Sequence, residues 1–110
     1  TLVGYTAETV TAGRPFNITL IWRGEQEMPQ SYHVFVHLRD ASGQIIAQSD
    51  GQPAGWTRPT SGWLPGDYII DAHQLSLPDP LPPGPYSLLV GLYLPGGDRL
   101  GEGVELILDQ

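Results

Sequence analysis

Apolar side chains recur at every second position along this chain. From Phe16 to Trp22, the residues Phe16, Ile18, Leu20 and Trp22 fall on one face of an extended strand, and Asn17, Thr19 and Ile21 fall on the other. The same two-residue period returns in Tyr32 to Arg39, where Tyr32, Val34, Val36 and Leu38 oppose His33, Phe35 and His37. It returns again in Tyr68 to Leu77 and in Tyr86 to Leu94, while Val104, Leu106 and Leu108 mark one face of Arg99 to Leu108. No stretch keeps the 3.6-residue apolar period of a helix, so the chain is expected to be all β. Leu2 to Tyr5 is read as a short first strand. Asp40-Ala41-Ser42-Gly43 has Asp at a turn start and Gly at a position that tolerates positive φ, which predicts a hairpin into Gln44 to Ser49. Seven short antiparallel strands at this spacing predict an immunoglobulin-like β-sandwich, one domain over residues 1–110.

Composition decides what such a sandwich can do. The 14 glycines and 11 prolines approach a linker's content, but 40% of the residues are hydrophobic, and most of the Gly and Pro punctuate the strands. All five cations are arginine and no cysteine is present, which excludes Schiff-base lysines, disulfides, thiolate zinc sites and thiol nucleophiles. A net charge of −7 with scattered arginines argues against nucleic acid or an anionic membrane surface as partner. No apolar run is long enough to span a bilayer.

The segment Asp50 to Gly66 breaks the pattern, with Pro53, Pro59 and Pro65 interleaved with glycines and with Trp56 and Trp63. Loops of that length are functional or are pinned by their own large side chains. Trp56, Trp63 and Tyr68 offer rings for the apolar face of a sugar, with Arg58 as a hydrogen-bond donor; alternatively the rings fold back and close the end of the sandwich. His33 and His37, about 13 Å apart on a strand, cannot ligate one ion. His37 is expected to meet Asp71 or His73 from a neighbouring strand, and together with Asp50 these form the anticipated polar cluster. A hydrogen-bonded structural role is its ordinary reading, and a metal or catalytic role is the sharper one. Asp50, Asp67 and Asp71 flank the loop, where a carboxylate pair about 5–9 Å apart would serve glycoside hydrolysis. Asp50 before Gly51 and Asp67 after Gly66 also read as turn chemistry. Neither a catalytic residue nor a metal or other cofactor is assigned.

Read together, the ordered motifs carry a resemblance. They run Gly13-Arg14-Pro15, Ile18-Thr19-Leu20-Ile21-Trp22, Val34-Phe35-Val36-His37-Leu38-Arg39-Asp40, Ser49-Asp50-Gly51, Pro59-Thr60-Ser61-Gly62-Trp63, Pro65-Gly66-Asp67, Pro82-Pro83-Gly84-Pro85-Tyr86 and Val90-Gly91-Leu92-Tyr93. In that order they resemble the C-terminal β-sandwich domain of family-39-type, dolichyl-phosphate-mannose-mannosyltransferase-like membrane proteins of Chloroflexi and related bacteria. The resemblance implies a noncatalytic extracytoplasmic accessory domain, cut from a longer membrane protein and tethered through it, with any transferase chemistry elsewhere. Glycan or lipid-linked sugar is the implied ligand, and the upstream membrane domain the implied partner. The alternative is a protein-interaction or purely architectural sandwich, similar in fold to proteinase inhibitors, with no ligand of its own.

Overall fold

The computed structural model describes residues 1–25, 31–51, 60–97 and 99–108. Seven strands form two antiparallel sheets: β1 (Leu2–Ala7), β2 (Pro15–Arg23) and β5 (Tyr68–Ser76) in one, and β3 (His33–Arg39), β4 (Ile45–Gly51), β6 (Ser87–Tyr93) and β7 (Arg99–Ile107) in the other. The order is β1-β2-β5 against β4-β3-β6-β7. The expected all-β sandwich is therefore present. Its fourth strand joins β3 rather than β5, so the sheets hold three and four strands instead of the constant-type immunoglobulin's four and three. Among the described residues no helix is long and apolar enough to cross a membrane.

The two-residue period becomes the interior. Phe16, Ile18, Leu20 and Trp22 of β2 face Val34, Val36 and Leu38 of β3 and Leu88, Val90 and Leu92 of β6 across the sandwich, with Ile69 and Leu75 from β5. Each such side chain contributes about 1.5–3 kcal/mol by leaving water, which is why faces, once chosen, are held. On β5 the buried set is Ile69, Asp71, His73 and Leu75, so two polar side chains occupy core positions. On β7 the period is looser: Val104 stays 43% exposed although Leu108 is buried.

Turns close the hairpins through side-chain chemistry. Asp40 Oδ1 accepts from the Ser42 amide at 2.9 Å, the Ser42 hydroxyl at 2.7 Å and the Gln44 amide at 3.1 Å, fixing the β3–β4 connection. Just before β6, the Tyr86 hydroxyl donates to the Pro82 carbonyl at 2.6 Å. That geometry is the tyrosine corner of immunoglobulin-like sandwiches, in which a ring at the start of the sixth strand ties down the chain entering it.

Asp50 and Gly51 belong to β4, so the expected loop begins later than Asp50; residues 52–59 lie outside the described residues. The chain re-enters as a single 3-10 turn, Thr60–Gly62, which seats Trp63 at 1% exposure with its ring centroid 6.3 Å from that of Trp22. Thr60 Oγ1 accepts from the Tyr32 amide at 2.8 Å, and at the same end the Gly24 amide donates to the Asp67 carbonyl at 2.8 Å while the Gly66 amide donates to the Gly24 carbonyl at 2.7 Å.

Candidate functional site

Two polar constellations arise from the strand faces, one inside the sandwich and one outside it. Inside, β5 brings Asp71 and His73 to the same face two residues apart. Asp71 Oδ2 accepts from the Trp22 indole Nε1 at 3.0 Å and lies 2.8 Å from His73 Nε2. His73 Nδ1 in turn lies 2.9 Å from the Ser49 hydroxyl on β4, in the opposite sheet. With Asp71 ionised, the imidazole proton sits on Nε2 and Nδ1 accepts from Ser49. The chain Trp22–Asp71–His73–Ser49 thus stitches the two sheets where the edge strands β4 and β5 face each other. Asp71 is fully buried and His73 is 8% exposed, so their hydrogen bonds replace the water both groups lost on folding.

The serine, histidine and carboxylate stand in the sequence a nucleophilic triad would need, but Asp71 and His73 are packed away from solvent. A buried imidazole and carboxylate suit cohesion between the sheets.

The anticipated cluster of His37, Asp50, Asp71 and His73 is divided. His37 is on β3, in a different sheet from β5, and its register places it on the outer face of the four-stranded sheet. It cannot reach Asp71 or His73 through the core layer of Val34, Val36 and Leu38. His37 meets Asp50 instead, Nε2 to Oδ1 at 3.9 Å, because Asp50 lies opposite Phe35 on the same outer face of β4. The three carboxylates weighed for glycoside cleavage are likewise dispersed: Asp71 is in the core, Asp50 on the outer sheet face, and Asp67 accepts from the Leu64 amide at 3.0 Å in a turn. They do not share a cleft.

The loop aromatics also part company. Trp63, expected to offer a ring to a ligand, is in the core and presents no face to solvent. Tyr68 is 61% exposed on the outer face of the three-stranded sheet, opposite Arg23, and so cannot act with Trp63 on one ligand. Trp56 and Arg58 lie outside the described residues.

The second constellation occupies the outer face of the four-stranded sheet; His37 and Asp50 are among the candidates named from sequence, whereas Phe35, Tyr93 and Arg99 are not. Phe35 points away from the core, yet is only 2% exposed. Its ring lies over Gly91, where an added Cβ would stand 2.6 Å from Cε2, and beside Gly103, whose φ is +85° at an irregularity in the β6–β7 ladder. No side chain but hydrogen fits under that ring at Gly91. Arg99 covers the other side, its guanidinium carbon 4.5 Å from the ring centroid. His37 is 4.9 Å away and Tyr93 6.3 Å, centroid to centroid, and His33 meets Tyr93 edge-on at 5.6 Å. Phe35, His37, Asp50, Tyr93, Gly97 and Arg99 enclose an open hollow of about 180 Å³. That is smaller than the ~300 Å³ at which pockets for drug-sized ligands begin, and suits one ring or one substituent of a larger ligand.

The electrostatics of the hollow are uneven. Burial pushes the His37 imidazole below its ordinary pKa; the Asp50 charge opposes this, and Arg99 and Arg39 reinforce it. Burial raises the Tyr93 phenol, and the neighbouring Asp50 carboxylate raises it further by charge and hydrogen bond. At neutral pH both rings are uncharged, leaving Asp50 and Arg99 as the ionic rim. Arg39 is committed to Glu105 at 2.7 Å. Among the described residues no group of three or more acidic or histidine side chains gathers as a metal site.

A sequence signal for this face existed. Three ring side chains at alternate positions of a strand's solvent face, His33, Phe35 and His37, together with a glycine inside the apolar run Val90-Gly91-Leu92, predict a ring laid flat on a neighbouring strand.

The fold and this face together define an all-β sandwich module with an aromatic hollow on its larger sheet. No protein-family model matches the chain, and no curated protein or solved structure matches it.

Proposed function

We propose that the chain is a noncatalytic sandwich module that engages carbohydrate, and that it serves as an extracytoplasmic accessory domain of a membrane glycosyltransferase-like protein. The sugar is taken on the outer face of the four-stranded sheet rather than by Trp63, whose ring is buried. The observation that carries this reading is the hollow itself: an aromatic floor of Phe35, His37 and Tyr93 beside an acceptor, Asp50, and a donor, Arg99. Sugars offer apolar C–H faces ringed by hydroxyls, and such a floor and rim answer both halves of that surface. The shallow opening fits weak, about millimolar binding. The ordered motifs given above support the accessory role.

NMR titration of the backbone amides with glucose, mannose and short oligosaccharides tests the binding. Shifts are expected at Phe35, His37, Asp50 and Tyr93 and should be lost in Tyr93→Ala. The absence of any shift on this face at tens of millimolar sugar would sink the reading. The tether is tested on the coding sequence upstream of Thr1, where a run of membrane helices is expected and a free-standing secreted chain would overturn it.

One observation favours a second reading, docking to another protein. Tyr68 and Ile70, at 61% and 60% exposure, stand together on the outer face of the three-stranded sheet, where Ile21 pairs with Ile70. Ile70→Glu would then weaken attachment to the parent protein while leaving sugar shifts unchanged.

A further inference from the structure

Asp50 and Arg99 border the same hollow without pairing with each other. Among the described residues, the ion-pair partner of Asp50 is the His37 imidazole at 3.9 Å, and no carboxylate comes within ion-pair distance of Arg99. The guanidinium instead lies on Phe35, 4.5 Å from the ring centroid, at the first residue of the edge strand β7. It fills the place that an aromatic cage offers to a cation: the Phe35 ring beneath, two further rings whose centroids lie 4.9 and 6.3 Å from that of Phe35, and a carboxylate at the rim.

Resting on the carbohydrate reading, we propose that Arg99 occupies the cation position of this hollow in the empty protein, and that the preferred ligand is a sugar carrying an ammonium group, a protonated hexosamine. On binding, the ammonium takes the ring face of Phe35 and the Asp50 carboxylate, and the exposed Arg99 side chain swings aside. The sugar C–H face then rests on Tyr93 and His37. Three features favour a cation here over an anion. Phe35 presents its negative face to the hollow, where Arg99 already lies on it. The positive charge of Arg99 is already met by Phe35, whereas the charge of Asp50 is met by no cation closer than an imidazole 3.9 Å away, its other neighbour being the neutral Tyr93 hydroxyl. The protein as a whole carries −7, which draws cations and repels anions over the approach. Burial keeps His37 uncharged at pH 7, so its ring adds aromatic surface without repelling the ammonium.

The test is an amide NMR titration of the full 110-residue chain at about pH 7 with glucosamine, glucose and N-acetylglucosamine, without substitution and as Asp50→Asn and Arg99→Ala. Both substitutions fall on exposed side chains, and retained spectral dispersion checks that each variant folds. Glucosamine is expected to bind about tenfold more tightly than the two neutral sugars, the size of one cation–ring contact plus one partly screened ion pair. Asp50→Asn should abolish that preference, and Arg99→Ala should strengthen glucosamine binding by removing the internal competitor. Equal affinity for all three sugars overturns the ammonium inference and leaves the carbohydrate reading standing. A preference that survives Asp50→Asn, or loss of glucosamine binding in Arg99→Ala, also overturns it. Silence from every sugar removes both.

Discussion

At the scale of single residues, two hydroxyl or indole donors do work of different size. The Trp22 indole donates to a fully buried carboxylate, and the Tyr86 hydroxyl to a half-buried carbonyl. Hydrogen bonds to charged groups are worth about twice those between neutral ones, and a carboxylate stripped of a donor in the core has no water to replace it. Trp22→Phe, which also shrinks a ring packed at 4% exposure, is expected to cost about 3 kcal/mol. Tyr86→Phe should cost about 1 kcal/mol. Urea denaturation of the two variants checks the ranking, and equal costs would mean that Asp71 draws little from the indole. The division of the anticipated His37, Asp50, Asp71 and His73 cluster belongs to this scale too. Parity along β3 and β5 told which residues share a face, but not which sheet each strand joins, and the core layer between the sheets is what separates His37 from Asp71. Trp22, on the expected core face of its strand, is in the core, and so is Trp63, for which the alternative to a ligand-facing ring, folding back over the end of the sandwich, is the arrangement observed.

At the scale of strands, alternation together with turn residues foretold seven elements with ends within a few residues of those observed, because burying one face of a strand fixes which side chains turn inward. β2 needed nothing else: Phe16, Ile18, Leu20 and Trp22 are each under 5% exposed. β4 was harder, since Ile45-Ile46-Ala47 has no clean period, and Asp50-Gly51 mimics a turn while forming ladder pairs with Phe35 and Val34. The outer hollow was illegible for a related reason: it exists through a side chain that is missing. Gly91→Ala would put a methyl group 2.6 Å from the Phe35 ring and 3.2 Å from the Gly103 backbone, so the ring must rise off the sheet. We expect a loss of about 1–3 kcal/mol on unfolding, as for other overpacked sites. The upfield ring-current shift of the Gly91 α-protons, measured in the unsubstituted chain, gives an independent reading of the stack; its absence would mean that Phe35 is not lying on this strand.

At the scale of the whole molecule, acid should loosen the fold in two stages. The folded-state pKa of His37 lies below its ordinary 6.5, so as pH falls through about 6.5 the unfolded chain takes up a proton that the folded chain refuses. Stability therefore declines from neutrality downward until the folded pKa is passed. Asp40, whose carboxyl is held below 3.8 by its bonds to Ser42 and to the turn amides, contributes stability that is complete above 3.8 and is lost as pH drops through its folded value. Thermal unfolding measured from pH 8 to pH 3 should show the first decline flattened in His37→Gln and the second reduced in Asp40→Ala. An unchanged profile in His37→Gln would mean that the imidazole is as well solvated folded as unfolded. The seating of Trp63 against Trp22 adds a practical consequence at this scale. Two of the three tryptophans share one dry end of the sandwich, and one of them is hydrogen-bonded to a carboxylate. Intrinsic emission is therefore an optical gauge of whether that end is shut: withdrawal of the Thr60–Gly62 turn would redden and dim the fluorescence while the strands still give an intact far-ultraviolet signature.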